Sequence, residues 1–185
     1  MAEDKQTSGL DLIEESDMPP EIDAAIKRLL CECFPPDVEE FSRSRYWHGS
    51  APAYTLIHRD GDEVVGQVGI VLRTIECGGV SVDIAGIQSL AVSPRIRGGM
   101  LAWALMRRSM KEARKRGVLF GLLFCVPSLE PLYAAMKWER IDVITTMRDG
   151  EGRVVPIPGK NIAMVLKLAG RPFPEGDIDL QGPDW

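Results

Sequence analysis

The sequence has no apolar run approaching the roughly 20 residues a helix needs to cross a bilayer. It also lacks excess positive charge: 22 Lys and Arg stand against 27 Asp and Glu, a net charge of −5. That balance argues against a nucleic-acid surface. The basic run from Arg107 to Arg116 lies towards the end of an expected helix, where cations suit the dipole. Aromatics make up only 6% of residues and do not interleave with basic residues in the way that stacks bases. Cysteine is scarce, and Cys31, Cys33, Cys77 and Cys125 show neither zinc-ribbon spacing nor a disulfide framework. No metal site is expected. The N-terminal stretch is polar and acidic, not a basic leader followed by an apolar run, so a cytoplasmic location with reduced thiols is the expectation.

What is present suits a soluble globular protein. Across 185 residues, 45% are apolar and 26% charged, enough for one domain with a proper core. The expected unit spans residues 1–185, with 170–185 a C-terminal tail packed on it. No internal repeat is visible. Met1 to Ser8 is expected to fray. Leu10 to Glu15 reads as a strand. Ile22, Ala25, Ile26, Leu29, Leu30 and Cys33 recur at helical spacing behind Pro19-Pro20 and stop at Pro35-Pro36. Asp37 is placed to cap a short helix running towards Tyr46. Tyr54–His58 and Val64–Leu72 alternate as strands across the turn Asp60-Gly61-Asp62. Val80–Val92 reads as a long strand interrupted at Gly86. Late in the chain, Glu139–Arg148 and Asn161–Leu168 read as two strands around Asp149-Gly150-Glu151-Gly152. The tail carries Phe173, Ile178, Leu180 and Trp185 among its prolines and glycines.

The chain is organised around Gln88 to Trp138. A strand ends in Leu90-Ala91-Val92 and is followed by Ser93-Pro94-Arg95-Ile96-Arg97-Gly98-Gly99-Met100. A helix then begins at Leu101-Ala102. It has an apolar stripe of Leu105, Met106, Met110 and Ala113, and Gly117 stands at its end. Phe120–Val126 reads as a buried strand, parallel to its predecessor because a helix joins them. Ser128–Met136 reads as a short helix. A strand that delivers a Gly-rich turn onto a helix start can hold a phosphate, since the first-turn N–H groups lack intrahelical partners and the dipole favours an anion. Arg95 and Arg97 add charge nearby.

The order of elements and the run Leu90 to Ala102 resemble the GNAT superfamily of N-acetyltransferases. Leu132-Tyr133 with Trp138 is similar to that superfamily's closing motif, a Leu-Tyr pair before a Gly-Phe. The likeness covers roughly residues 10–168. It implies an α+β fold: a mixed, mostly antiparallel splayed sheet with helices on both faces. It implies acetyl-CoA, or another acyl-CoA, as co-substrate and a small-molecule amine as acceptor. The backbone of Arg97, Gly98, Gly99, Met100, Leu101 and Ala102 would hold the pyrophosphate. The main chain of Leu90, Ala91 and Val92 would take the pantetheine arm as an added strand. The sequence departs from the family pattern at Met100, where the motif has Gly, at Val126-Pro127, where an Asn is common, and at Lys137, where Gly precedes the final aromatic. Two subfamilies come nearest. The segment Val71 to Ala102 and the Asp184-Trp185 ending resemble aminoglycoside N-acetyltransferases, and the tail from Phe173 to Asp184 resembles nodulation N-acyltransferases. Both acylate an amino-sugar nitrogen, the latter with a fatty chain.

Acyl transfer to an amine needs a neutral amine, donors for an oxyanion and a proton for the departing thiolate. By resemblance Tyr133 is the candidate acid, against the alternative of an aromatic that packs its helix. Main-chain N–H groups near Leu90–Val92 are the candidate oxyanion donors. The base is open. Gln88 stands where the aminoglycoside enzymes carry an acid, so it is a candidate water or substrate holder. Strict alternation puts it on the face of Leu90 and Val92, so a bulge near Gly86 is needed to separate their roles. Asp83 is a remote base or a surface carboxylate. His48 has a suitable ordinary pKa, but its neighbours Trp47, Gly49 and Ser50 place it in a loop, where a structural or exposed role is expected. Asp184 and the carboxylate of Trp185 are candidates for binding a cationic sugar. Cys125 reads as core rather than nucleophile. Trp103, Met106 and Phe124 line an apolar slot for a longer acyl chain or simply fill the core. A catalytically degenerate CoA-binding module is the alternative to an enzyme. No oligomeric interface is legible, and a homodimer stays open.

Overall fold

The computed structural model describes residues 9–157 and 161–185. The segment Met1–Ser8 lies outside the described residues. A ten-stranded mixed sheet carries helices on both faces. β1 (Leu10–Glu14) leads to α1 (Pro20–Cys33) and α2 (Val38–Arg43). β2 (Tyr54–Asp60), β3 (Glu63–Cys77) and β4 (Val80–Val92) follow as an antiparallel meander. α3 (Leu101–Lys115) crosses to β5 (Phe120–Cys125), which lies parallel to β4. α4 (Glu130–Ala135), β6 (Glu139–Ile141), β7 (Thr145–Arg148), β8 (Val154–Pro156), β9 (Ile162–Lys167) and β10 (Ile178–Asp179) complete the chain. The order across the sheet is β6-β9-β5-β4-β3-β10-β7-β8, with β2 and β1 added along the first half of β3.

The Glu139–Arg148 stretch is not one strand. β6 pairs with β9, whereas β7 pairs with β8 and, in parallel, with β10 of the tail. The turn at Asp149–Gly152 therefore joins β7 to β8, not to β9. The apolar pattern runs unbroken through this stretch, so nothing local marks the break. It depends on a partner strand about 33 residues further along, Ile178 opposite Thr145.

One sheet face packs α3 and α4. Leu105, Met106, Met110 and Ala113 of α3 meet Tyr54, Leu56, Val68, Ile70, Ala85 and Ile87, with Tyr133 and Trp138 in the same cluster. The opposite face is divided. Ala25, Ile26, Leu29, Leu30 and Phe41 of α1 and α2 cover Ile57, Val64 and Ala91. The tail residues Ile178, Leu180 and Trp185 cover Val71, Ile75, Ile84 and Leu122. Each fully buried aliphatic side chain in these clusters stabilises by about 1.5–3 kcal/mol.

α3 stops at Arg116 because Gly117 turns left-handed at φ +85°. α4 stops in the same way, but without glycine. Lys137 sits at φ +71°, its N–H donates to the Ala134 carbonyl at 2.9 Å, and the Trp138 N–H donates to the Tyr133 carbonyl at 3.1 Å. That pair of bonds is a Schellman motif, whose left-handed position favours Gly. This explains why a Gly is common there in the resembling family: the backbone shape is kept while a side chain bears the strain. Lys137→Gly is expected to raise unfolding free energy by about 1 kcal/mol, read from the urea midpoint at unchanged m-value.

Candidate active site

The site begins with an irregularity in β4. Opposite β3 the pairing runs Gly69 with Gln88, then Gln67 with Ala91, so one extra residue is accommodated on β4. Ser89 takes φ +50° there. The bulge lies at Ser89, not near Gly86 as the sequence suggested. It reverses the alternation. Leu90 and Val92 join Ala85 and Ile87 on the α3 face, while Gln88 turns to the opposite face. Gly86 has a different role: a Cβ there would collide with the Trp185 indole.

β4 and β5 pair only at Ile84–Phe120, Ala85–Gly121 and Gly86–Leu122, then part. The gap is a cleft of about 510 Å³ lined by residues from both faces of the sheet. On the α3 side it is lined by Ile87, Leu90, Leu123, Cys125, Leu129 and Tyr133. On the other side stand Phe34, Asp37, Trp47, His48, Asp184 and Trp185. Two cleft residues, Ser89 and Trp185, carry buried polar atoms with no partner, the Oγ and the Nε1; Thr145 has the third such atom among the described residues. Unpaired buried donors are uncommon.

Beyond Gly86 the β5-side edge of β4 has no strand partner, and it leads to the turn before α3. Gly98 takes φ +87° in open space, and Met100 caps the helix at φ −86°. No side chain caps α3, and its first helical bond runs from the Ala104 N–H to the Met100 carbonyl. The N–H groups of Leu101, Ala102 and Trp103 therefore precede the helix's hydrogen-bond ladder. Met100 does not obstruct the turn, since it is 52% exposed. The left-handed residue simply stands two positions earlier. Arg97 holds its charge beside the turn by donating from Nε to the Val92 carbonyl at 2.9 Å, an oxygen also approached by the Cys33 thiol. Val92 is thus partly occupied. Arg95 turns away to Glu63 at 2.5 Å.

Among the residues singled out by sequence, Tyr133 reaches the cleft. It is 7% exposed, and burial pushes its phenol up to about 12, with Cys125 reinforcing the shift. Cys125 is buried on the same wall, its thiol pushed up to about 11 by burial and then by Glu130; it is an inert core thiol. Asp83 does not reach the cleft. Its carboxylate accepts from the Thr74 hydroxyl at 2.5 Å, in a depression that also contains Arg116. It shares the α3 face with Ala85 and Ile87, but it lies before the first β4–β5 pair, near the end of α3 and far along the strand from the opening, and it is set aside as a base.

Gln88 is buried and does not line the cleft. Its Oε1 accepts from the Trp47 N–H at 3.1 Å, and its Nε2 donates to the Ser50 carbonyl at 2.8 Å. Both ends of the amide are committed to the turn that carries His48. Trp103 and Met106 line a separate apolar groove of about 280 Å³ with Met110, Met136 and Trp138, whereas Phe124 lines the cleft, so these three form no common slot.

His48 is exposed in its loop, as its neighbours suggested. It lines the cleft at φ +46°, and its Nδ1 is hydrogen-bonded to the Asp184 carboxylate. Arg45, buried between Asp23, Glu15 and Thr55, anchors the segment from below. Ser50 Oγ donates towards the Asp184 and Pro183 carbonyls at 2.7 and 3.1 Å. Arg73 Nη1 donates to the Pro183 carbonyl at 2.6 Å, and its guanidinium lies 5.1 Å from the Trp185 ring.

Residues 19–141 match the family described as Acetyltransferase (GNAT) domain. The chain belongs to the GNAT acetyltransferase family. Nodulation protein A of Bradyrhizobium elkanii is 28% identical over 160 residues, covering 80% of this chain and 76% of that protein. A GNAT family acetyltransferase from Brucella melitensis, solved in complex with acetyl-CoA, superposes with a TM-score of 0.61 at 16% identity, over 91% of this chain and 94% of that one. The Escherichia coli N-acetyltransferase YhbS, in complex with CoA, gives 0.63 at 17% identity, over 92% and 88%. Aminoglycoside 6'-acetyltransferase type Ii gives 0.59 at 17% identity, over 88% and 99%. At such identities the structural likeness establishes the GNAT fold, with its splayed mixed sheet.

The Gln88 clamp makes a measurable claim. Gln88→Met keeps the volume but strands the buried Trp47 N–H and Ser50 carbonyl, and should cost about 2 kcal/mol. Amide exchange at Trp47 should quicken in the folded state, before global unfolding.

Proposed function

We infer that this GNAT protein is an N-acyltransferase that moves an acetyl group from acetyl-CoA to a primary amine of a small molecule, by direct attack and without a covalent enzyme intermediate. The observation that carries this reading is the parting of β4 and β5 into a cleft with Tyr133 on one wall, from which β4 runs on into a Gly98-containing turn onto α3. These residues fit the co-substrate. The leading N–H groups of Leu101 and Ala102, with Arg97 beside them, suit a pyrophosphate. The unpartnered edge of β4 around Leu90 and Ala91 suits an amide-built arm. Bound acetyl-CoA supplies the acyl thioester.

Tyr133 holds its proton far beyond neutral pH, because its charged form is penalised by burial. It is therefore a standing proton donor for a departing thiolate, and its ionisation sets no limb of the pH–rate profile near neutrality. The acceptor would enter from the other face. Trp47, Phe34 and Trp185 offer apolar rings, and Asp37 and Asp184 offer carboxylates. That mixture suits an amino sugar, whose ring has apolar faces and carries a cation. The similarity to nodulation protein A and to an aminoglycoside acetyltransferase fold supports the same class.

Calorimetric titration with acetyl-CoA should show micromolar binding; its absence would sink the reading. With glucosamine as probe acceptor and thiol release as readout, Tyr133→Phe should lower kcat about 100-fold while acetyl-CoA affinity stays within about twofold. Turnover equal to wild type would remove Tyr133 from the acid role.

A further inference from the structure

We propose that His48 is the catalytic base of the reaction and that Asp184 positions it, so that the tail completes the active site. The inference rests on the acyltransferase reading above and goes beyond it by naming the group that neutralises the amine.

Four independent features converge on His48. It lines the same cleft as Tyr133, on the face opened for the acceptor. Its Nδ1 is engaged by the Asp184 carboxylate, which leaves Nε2 to carry the lone pair when Nδ1 bears the proton. Its backbone is left-handed at φ +46°, a conformation that costs a non-glycine residue about 1 kcal/mol or more. And the turn bearing it is clamped at both ends by the buried Gln88 amide, across the bulge that opens the cleft. A merely solvated loop histidine would need neither the clamp nor the strain. Asp184 is itself held by its neighbours: Ser50 binds its carbonyl, and Arg73 binds the preceding carbonyl.

The chemistry balances. An acceptor ammonium gives one proton to His48 Nε2 and becomes a nucleophilic amine; Asp184 stabilises the resulting imidazolium. The second amine proton, lost as the C–N bond forms and the C–S bond breaks, matches the proton that the departing thiolate takes up. One proton per turnover therefore leaves through His48, whose side chain is half exposed and can pass it to solvent. The other titratable groups on the cleft wall are Asp37, Cys125 and Tyr133, with Arg73 behind Asp184.

The test uses the full chain with acetyl-CoA and glucosamine. His48→Gln should lower kcat about 100-fold and remove the acidic limb of the kcat/KM profile, with acetyl-CoA affinity by calorimetry within about twofold. Asp184→Asn should lower kcat about tenfold. A readout free of turnover comes from ring 15N spectra, because the chain has only two histidines, His48 and His58. The Nδ1–H tautomer signal of His48, assigned by its loss in His48→Gln, should weaken in Asp184→Asn. Wild-type turnover or an unchanged acidic limb in His48→Gln would overturn the base role, and a tautomer indifferent to Asp184→Asn would overturn the pairing. If wild type binds no acetyl-CoA, the broader reading falls and takes this one with it. If binding and turnover survive His48→Gln, only this one falls.

Discussion

The structure depends on one slip in β4. Without the extra residue at Ser89, Gln88, Leu90 and Val92 would share a face, and a primary amide would be driven into the aliphatic layer beneath α3. Burying it there unpaired would cost several kcal/mol. With the slip, Leu90 and Val92 keep α3 in place, while Gln88 faces the other layer and finds two backbone partners. The same bend carries β4 away from β5 after three pairs. Protein interiors are otherwise close-packed, so a gap of about 510 Å³ between adjacent strands needs rigid walls. The Schellman-capped α4, which holds Tyr133, and the Trp185 indole seated on Gly86 provide them.

Two irregular segments meet at this gap, and only the two-residue β10 ties either of them into the sheet. Residues 44–50 hang from the Arg45 ion pairs below and the Gln88 amide above. The tail hangs from Arg73, Ser50 and the Arg148–Asp179 pair at 2.8 Å, which is partly buried on both sides. Each tether joins side chain to backbone or charge to charge. Such contacts place backbone groups more firmly than apolar packing can, because they fix direction as well as distance. Arg45 is the costlier device. A guanidinium with almost no exposure must be fully compensated, and Glu15, Asp23 and Thr55 share that task.

Local signals were legible and distant ones were not. The helices at 20–33 and 101–115, the hairpin at Asp60–Gly61–Asp62 and the Gly-rich turn follow from spacing and turn chemistry within a few residues. Tyr133 could be placed in the cleft by motif, because its helix start and stop are both written nearby. The His48–Asp184 pair spans 136 positions, and its two halves sit in segments that read as irregular. No periodicity links them. Gln88 was noticed by motif position as a water or substrate holder, whereas its partners are backbone groups 38 and 41 residues away, which carry no side-chain signature. Asp83 misled because membership of a strand cannot say where along its length the sheet will part. Met100 misled in the opposite sense: a motif compares residue types, whereas the turn requires only one left-handed position, and Gly98 fills it.

The surroundings of the cleft differ in electrical character from one end to the other. The turn that follows β4 presents a helix N-terminus and Arg97, and the wall of the cleft below α1 and the tail presents Asp37 and Asp184. On the proposed reading this polarity sorts the substrates before any chemistry occurs. A pyrophosphate is drawn to the first and repelled by the second, and an ammonium experiences the reverse. The overall charge of −5 contributes little to that selection, because screening over about 10 Å leaves only nearby groups to act. The carboxylate that attracts the cation is also the one that orients His48. The residue that brings the amine in as an ammonium thus lies next to the residue that must deprotonate it, and the C-terminal segment supplies both the attraction and the alignment.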